Sequence, residues 1–206
     1  MFAALLLPYA SQARPRNIKR NSIAMQKTDA NAMLQAQFQY AENVLSISYQ
    51  FNNYCNSDIF LFNKMYDDVD DEGRYKVNEN LCNIEASNGQ LIISKKVPTL
   101  PESLLVESLN LPCVTLVAPG TSFRETVVQD LPLQLWSPYE SVGAPISLAL
   151  PTFFQIGYFV ATTTSKPLAR TVSTTAGKAL RFVAVTPGSQ ILLTTGPFQP
   201  VSTLPP

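Results

Sequence analysis

From Val44 onward the chain alternates apolar and polar residues with period two: Leu45, Ile47, Tyr49 and Phe51 against Ser46, Ser48, Gln50 and Asn52. This alternation predicts a strand with one buried and one wet face. Asn52 to Asp58 predicts a turn, because Asn and Asp bond their own backbone and tolerate left-handed conformations. Ile59 to Tyr66 predicts a second strand, aromatic on both faces and so central or covered. A polar loop, Asp67 to Gly73, leads to a short strand at Arg74 to Val77. Ser87-Asn88-Gly89-Gln90 predicts a tight hairpin returning through Leu91 to Ser94.

Pro98, Pro101 and Pro112 break the next stretch, which reads as irregular around a short turn at Leu104 to Leu109. Val114 to Val127, turning at Pro119-Gly120, predicts a second hairpin, followed by the proline-flanked segment Leu131 to Tyr139. Further strands are expected at Ile146 to Leu150, at Gln155 to Ala161 (with Ile156, Tyr158 and Val160 on one face), at Leu180 to Val185 and at Ile191 to Thr195. Thr162 to Lys178 reads as a basic, threonine-rich connection. Thr28 to Tyr40 is rich in helix formers and reads as a short helix or a lead into the first strand.

The expectation is an all-β fold, an antiparallel immunoglobulin-like β-sandwich of about 7–9 strands. Residues 1–35 are read as an N-terminal tail, 36–196 as the sandwich and 197–206 as a proline-rich tail. Phe2 to Leu7, with Ala10 to Ala13 beyond, has some character of a signal segment but no basic residue before it. Met25 is an alternative start. No run of about 18 apolar residues occurs, so no transmembrane segment is expected, and a cytoplasmic location is favoured slightly over a periplasmic or secreted one.

The order of an alternating strand, an Asn/Ser/Asp turn, an aromatic strand and then Val114-Thr115-Leu116-Val117-Ala118-Pro119-Gly120-Thr121 resembles the immunoglobulin-like sandwiches of bacterial accessory proteins. Among named families it is most similar to the intracellular proteinase-inhibitor type. The resemblance implies a fold and carries over no inhibitory loop. The chain departs from antibody-type domains, since its single tryptophan, Trp136, follows all three cysteines.

Composition narrows the chemistry. Fifteen basic residues balance fifteen acidic ones, which is not the excess of positive charge that nucleic-acid binding uses. Histidine is absent, so this chain alone supplies no histidine base, histidine-dependent nucleophile or histidine metal ligand. Cys55, Cys82 and Cys113 are too few for a four-thiolate zinc site, and none are spaced as C-x-x-C; one disulfide with a thiol left over is an alternative, and three free or buried thiols is the simplest reading. No cofactor is expected. The adjacent pairs Ser94-Lys95 and Ser165-Lys166 would point to opposite strand faces, and no nucleophile motif singles out any serine.

Asp68, Asp70, Glu72, Gly73 and Glu79 approximate the spacing of a calcium loop. The flanks read as strands, and Lys76 falls where a further ligand is needed, so a solvated acidic hairpin is the simpler account. Leu135, Trp136 and Tyr139 are the candidate contacts for a protein partner at a sheet edge; their structural alternative is to cap the end of the sandwich. The leading functional expectation is a non-enzymatic binding or assembly module. The alternatives are a hydrolase using carboxylates or a cysteine in an inter-sheet cleft, and a calcium-stabilised sandwich.

Overall fold

A computed structural model describes residues 23–41, 43–106, 108–139, 150–162 and 168–201. Ser165-Lys166, most of the strand expected at Ile146 to Leu150, and the segment from Phe2 to Ala13 lie outside the described residues. The protein is all-β. Its strands are β1 (Ile23–Thr28), β2 (Ala32–Ala41), β3 (Val44–Asn53), β4 (Ile59–Lys64), β5 (Tyr66–Val69), β6 (Tyr75–Val77) and β7 (Asn83–Ser87). They continue with β8 (Gln90–Lys95), β9 (Cys113–Val117), β10 (Ser122–Asp130), β11 (Leu150–Val160), β12 (Ala169–Thr174), β13 (Gly177–Phe182) and β14 (Ile191–Val201).

Two sheets form. One has four strands in the order β1-β2-β3-β10. The other has ten, in the order β5-β6-β12-β13-β9-β4-β11-β8-β7, with β14 on the free side of β11. Three corrections to the expected fold follow. The described residues hold fourteen strands, not seven to nine. The pairing is mixed, because β11 runs parallel to β8 and β12 parallel to β6. The connection at Thr162 to Lys178 contains β12, which pairs back on β13.

The stretch from Thr28 to Tyr40 is strand, not helix. Ala32, Leu34, Ala36 and Phe38 are buried, while Met33, Gln35 and Gln37 are half-buried on the opposite face and Gln39 is exposed there. Helix propensity is a weak prior beside a period-two pattern that has a core to cover. Asp29 tightens the β1–β2 turn by accepting the N–H groups of Asn31 and Ala32 at 2.7 and 2.8 Å. The folded strands therefore begin at Ile23, inside the stretch read as a tail, and β14 runs on to Val201.

The expected hairpin at Pro119-Gly120 is an arch between sheets. β9 pairs with β4 and β13 in one sheet, while β10 pairs with β3 in the other. Asn53, fully buried, explains why. Its Nδ2 donates to the carbonyls of Ser57 at 2.8 Å and Val117 at 2.9 Å, and its Oδ1 accepts the Cys55 N–H at 3.0 Å. Its backbone N–H bonds Thr121 and its carbonyl accepts from Gly120. One side chain thus ties the β3–β4 arch to the β9–β10 arch. Asn88-Gly89, by contrast, makes a two-residue hairpin with both residues at positive φ.

The main core lies between the sheets, built from Leu34, Phe38, Ile47 and Phe51 against Ile59, Leu61, Ile156 and Tyr158, among others. Phe60, Phe62 and Phe182 form a second cluster on the far face of the ten-stranded sheet. That is why β4 is apolar on both faces. Gln190 clamps the backbone of Val97, accepting its N–H at 2.9 Å and donating to its carbonyl at 2.8 Å. Only a glycine fits beneath it: a Cβ on Gly157 would lie 2.3 Å from Gln190 Oε1.

Candidate binding face

The register of the four-stranded sheet lines up its outward residues in rows. Gln26, Gln35, Gln50 and Arg124 stand opposite one another across the four strands, and Gln37, Ser48 and Thr126 form the next row. These rows line an open, shallow trough of about 650 Å³. Its side chains are bonded along the rows: Gln35 Nε2 to Gln26 at 3.2 Å, Arg124 Nε to Gln50 at 2.9 Å, and Ser48 to Thr126 at 2.9 Å. Gln50 Nε2 in turn donates to Asn52 at 2.7 Å. The lining is thus mainly an array of amides and hydroxyls with one cation, Arg124, and it includes Ala36, Tyr49 and the carboxylate-bearing Glu125.

Directly under the trough, the same strands turn Tyr49 and Glu125 inward. Glu125 Oε2 accepts the Tyr49 hydroxyl and, at 2.7 Å, Lys95 Nζ from the opposite sheet. Lys95 also donates to the carbonyl of Glu79 at 2.6 Å. Lys95 is fully buried and the Glu125 side chain is 10% exposed, so the ion pair sits at the sheet interface. Burial, reinforced by Glu125, holds the Tyr49 hydroxyl well above the usual tyrosine range. Burial likewise pushes the nearby Cys82 thiol up to about 12, although Lys95 pulls it back. The residue 78–81 loop closes the side: Asn80 accepts the Val128 N–H at 2.9 Å and its carbonyl accepts Gln129 Nε2, capping the outer edge of β10.

The other candidates lie elsewhere. Cys113 is pushed up to about 11 by burial, against the pull of Arg181 and Lys64. Cys55 donates its thiol to Asn53 Oδ1 and the Ser57 carbonyl. All three cysteines are free. Asp68 pairs with Lys76 at 2.6 Å, while Asp70 and Glu72 pair with Arg74 at 2.8 and 3.2 Å. The Lys76 bond and the Arg74 N–H hold the Asp68 and Asp70 carboxyls below their ordinary range. Their loop joins strands β5 and β6, where a calcium loop would join helices. Among the described residues no group of three or more Cys, Asp or Glu is placed to hold a metal ion, and no helix is long and apolar enough to cross a membrane.

Leu135, Trp136 and Tyr139 are all half-buried. Trp136 exchanges both backbone hydrogen bonds with Ile84, at 2.9 and 3.0 Å, laying its segment along the outer edge of β7. The Tyr139 hydroxyl accepts the Asn110 N–H at 2.9 Å. The segment therefore covers an edge that would otherwise be open to pairing, and beside Trp136 it leaves a hollow of about 310 Å³.

Sequence reasoning missed the trough and the pair beneath it. Parity carries the signal for the pair. Phe123, Glu125 and Val127 share one strand face, as do Leu91, Ile93 and Lys95, so each charge aligns with core residues. The fold and this face define the class: a two-sheet, all-β sandwich with a polar trough on its outer face. No protein family, no curated protein and no solved structure matches the chain.

Proposed function

We propose that this chain is a non-enzymatic binding or assembly module built on a β-sandwich, with the outer face of the four-stranded sheet as its contact surface. The observation that carries the reading is the trough itself. Its amides and hydroxyls are held in register by one another, which lowers the ordering cost of binding a polar partner. A hydrolase would need a carboxylate or thiol open to substrate. Glu125 reaches the trough wall, but its Oε2 is engaged by Lys95 and Tyr49, and Cys82 stays protonated in the core. The single trough cation and the zero net charge likewise favour a partner other than nucleic acid.

An immunoglobulin-like relationship is compatible with two packed sheets joined by arches, although the parallel pairs depart from that pattern. A protein contact through Leu135, Trp136 and Tyr139 is the second reading, favoured by the hollow beside Trp136. Capture of a native partner by the full chain separates the two. The double variant Gln35→Glu/Gln50→Glu should reduce capture at least about ten-fold, the loss of two interfacial hydrogen bonds plus repulsion, while Trp136→Ala leaves it intact. Capture that survives the trough variant and fails with Trp136→Ala would move the contact surface to the β7 edge.

A further inference from the structure

At the opposite end of the ten-stranded sheet, Arg181 on β13 lies in a surrounding that an isolated cation does not ordinarily occupy. It is half-buried. Its Nε donates to the Leu111 carbonyl at 3.0 Å and its Nη2 to the Tyr66 hydroxyl at 3.2 Å. Its guanidinium lies 4.9 Å from the centre of the Tyr75 ring and 5.8 Å from that of Tyr66. These partners are neutral dipoles and ring faces. Every ion pair found among the described residues involves other cations, and Lys64 nearby has no carboxylate partner there either. A guanidinium withdrawn from water normally gains a carboxylate in compensation.

Arg181 opens onto a hollow of about 630 Å³ whose other walls include Tyr75, Leu109, Leu111, Val183 and Val185. The size falls within the range of small-molecule sites, about 300–1,000 Å³. Among the described residues, most of the lining is apolar, with one cation and no carboxylate in the wall. We propose that this hollow binds a small amphipathic carboxylate, its carboxylate on the Arg181 guanidinium and its alkyl or aryl body against Leu109, Leu111, Val183 and Val185. Two of the five guanidinium N–H donors are engaged by Leu111 and Tyr66, and the remainder match a planar two-oxygen acceptor. Phosphorylated ligands fit less well, since their charge calls for more than one cation near an apolar wall. The site is separate from the trough and does not depend on the function proposed for it.

The test uses the full chain and two probes of equal length, decanoate and decanol, titrated by calorimetry. Decanoate should bind at one site and decanol at least about ten-fold more weakly, the difference expected for a charged hydrogen bond. Arg181→Met should erase that preference. Because Arg181 also supports Tyr66 and Tyr75, Val183→Glu provides a second variant. Val183 is 47% exposed, so the fold should hold, and the added carboxylate should occupy Arg181 and abolish decanoate binding. Equal affinity for the two probes, no binding of decanoate, or unchanged binding by Val183→Glu would each overturn the proposal.

Discussion

Lys95 Nζ in one sheet lies 2.7 Å from Glu125 Oε2 in the other, and this ion pair crosses the sheet interface beneath the trough. A buried pair of this kind is costly to assemble and costlier to break, because removing one partner strands the other charge in the core. Lys95→Met and Glu125→Gln are each expected to lower unfolding free energy by about 3–5 kcal/mol. The double variant Lys95→Met/Glu125→Leu should recover most of the loss. Urea unfolding of the three variants measures both effects.

Asn53 should matter as much as a large core residue. Asn53→Ala removes the side-chain donor to the Val117 carbonyl and the acceptor for the Cys55 N–H, leaves the Ser57 carbonyl with only the weak Cys55 thiol, and uncouples the two arches, for an expected loss of about 2–4 kcal/mol at roughly 1–3 kcal/mol per orphaned group. Asn53→Asp retains the acceptor for Cys55 but cannot donate, so it should be no more stable than the alanine variant. Denaturant midpoints, read with the slope held constant, give the comparison.

Gly157 is required by space, not by backbone angle. Gly157→Ala should push Gln190 off Val97 and cost about 1–3 kcal/mol, the range for overpacking. Adding Gln190→Ala to Gly157→Ala should relieve the clash with Gln190 but not restore the lost clamp. A double-mutant cycle therefore gives a coupling of about 0.5 kcal/mol or more.

Stability should fall on the alkaline side. Cys82 is raised from 9.0 to about 12, and Tyr49 is raised well above 10.0. Below pH 9 the thiol is protonated both folded and unfolded, so its contribution is fully present. Above that, the unfolded thiol ionises while the buried one does not, and stability declines as pH rises towards the folded value. Urea midpoints between pH 7 and pH 10.5 should be flat and then decline, and Cys82→Ala should flatten the decline. A midpoint independent of pH through that window would place Cys82 in contact with water.

The parts of the fold that are legible in the sequence are those where one local rule acts alone. β3 alternates because one face meets the core and the other meets solvent, and Asn88-Gly89 turns because both residues accept positive φ. β2 is obscured because Ala, Gln, Met and Leu favour helix while their spacing is that of a strand. The β9–β10 arch is hidden for a different reason. Pro119-Gly120 specifies a turn, but the pairing of the flanking strands is decided by Asn53, more than sixty residues away from Val117 in sequence. The trough belongs to the same class of feature, since Gln35, Gln50 and Arg124 meet only through register. The Lys95–Glu125 pair is partly legible from parity, but which charge meets which requires the packing of the two sheets.

The central claim is that the outer face of the four-stranded sheet is where this protein meets its partner. Met33 lies on that face, in the row next to Gln35 and Gln50, and accepts a hydrogen bond from the Tyr54 hydroxyl at 3.4 Å. Both side chains react readily with hydroxyl radicals, as does Trp136 at the β7 edge. Oxidative footprinting of the protein alone and in its captured complex compares the two surfaces within one sample. Protection of Met33 and Tyr54 with Trp136 unchanged is the predicted result; protection of Trp136 with Met33 and Tyr54 unchanged would contradict it.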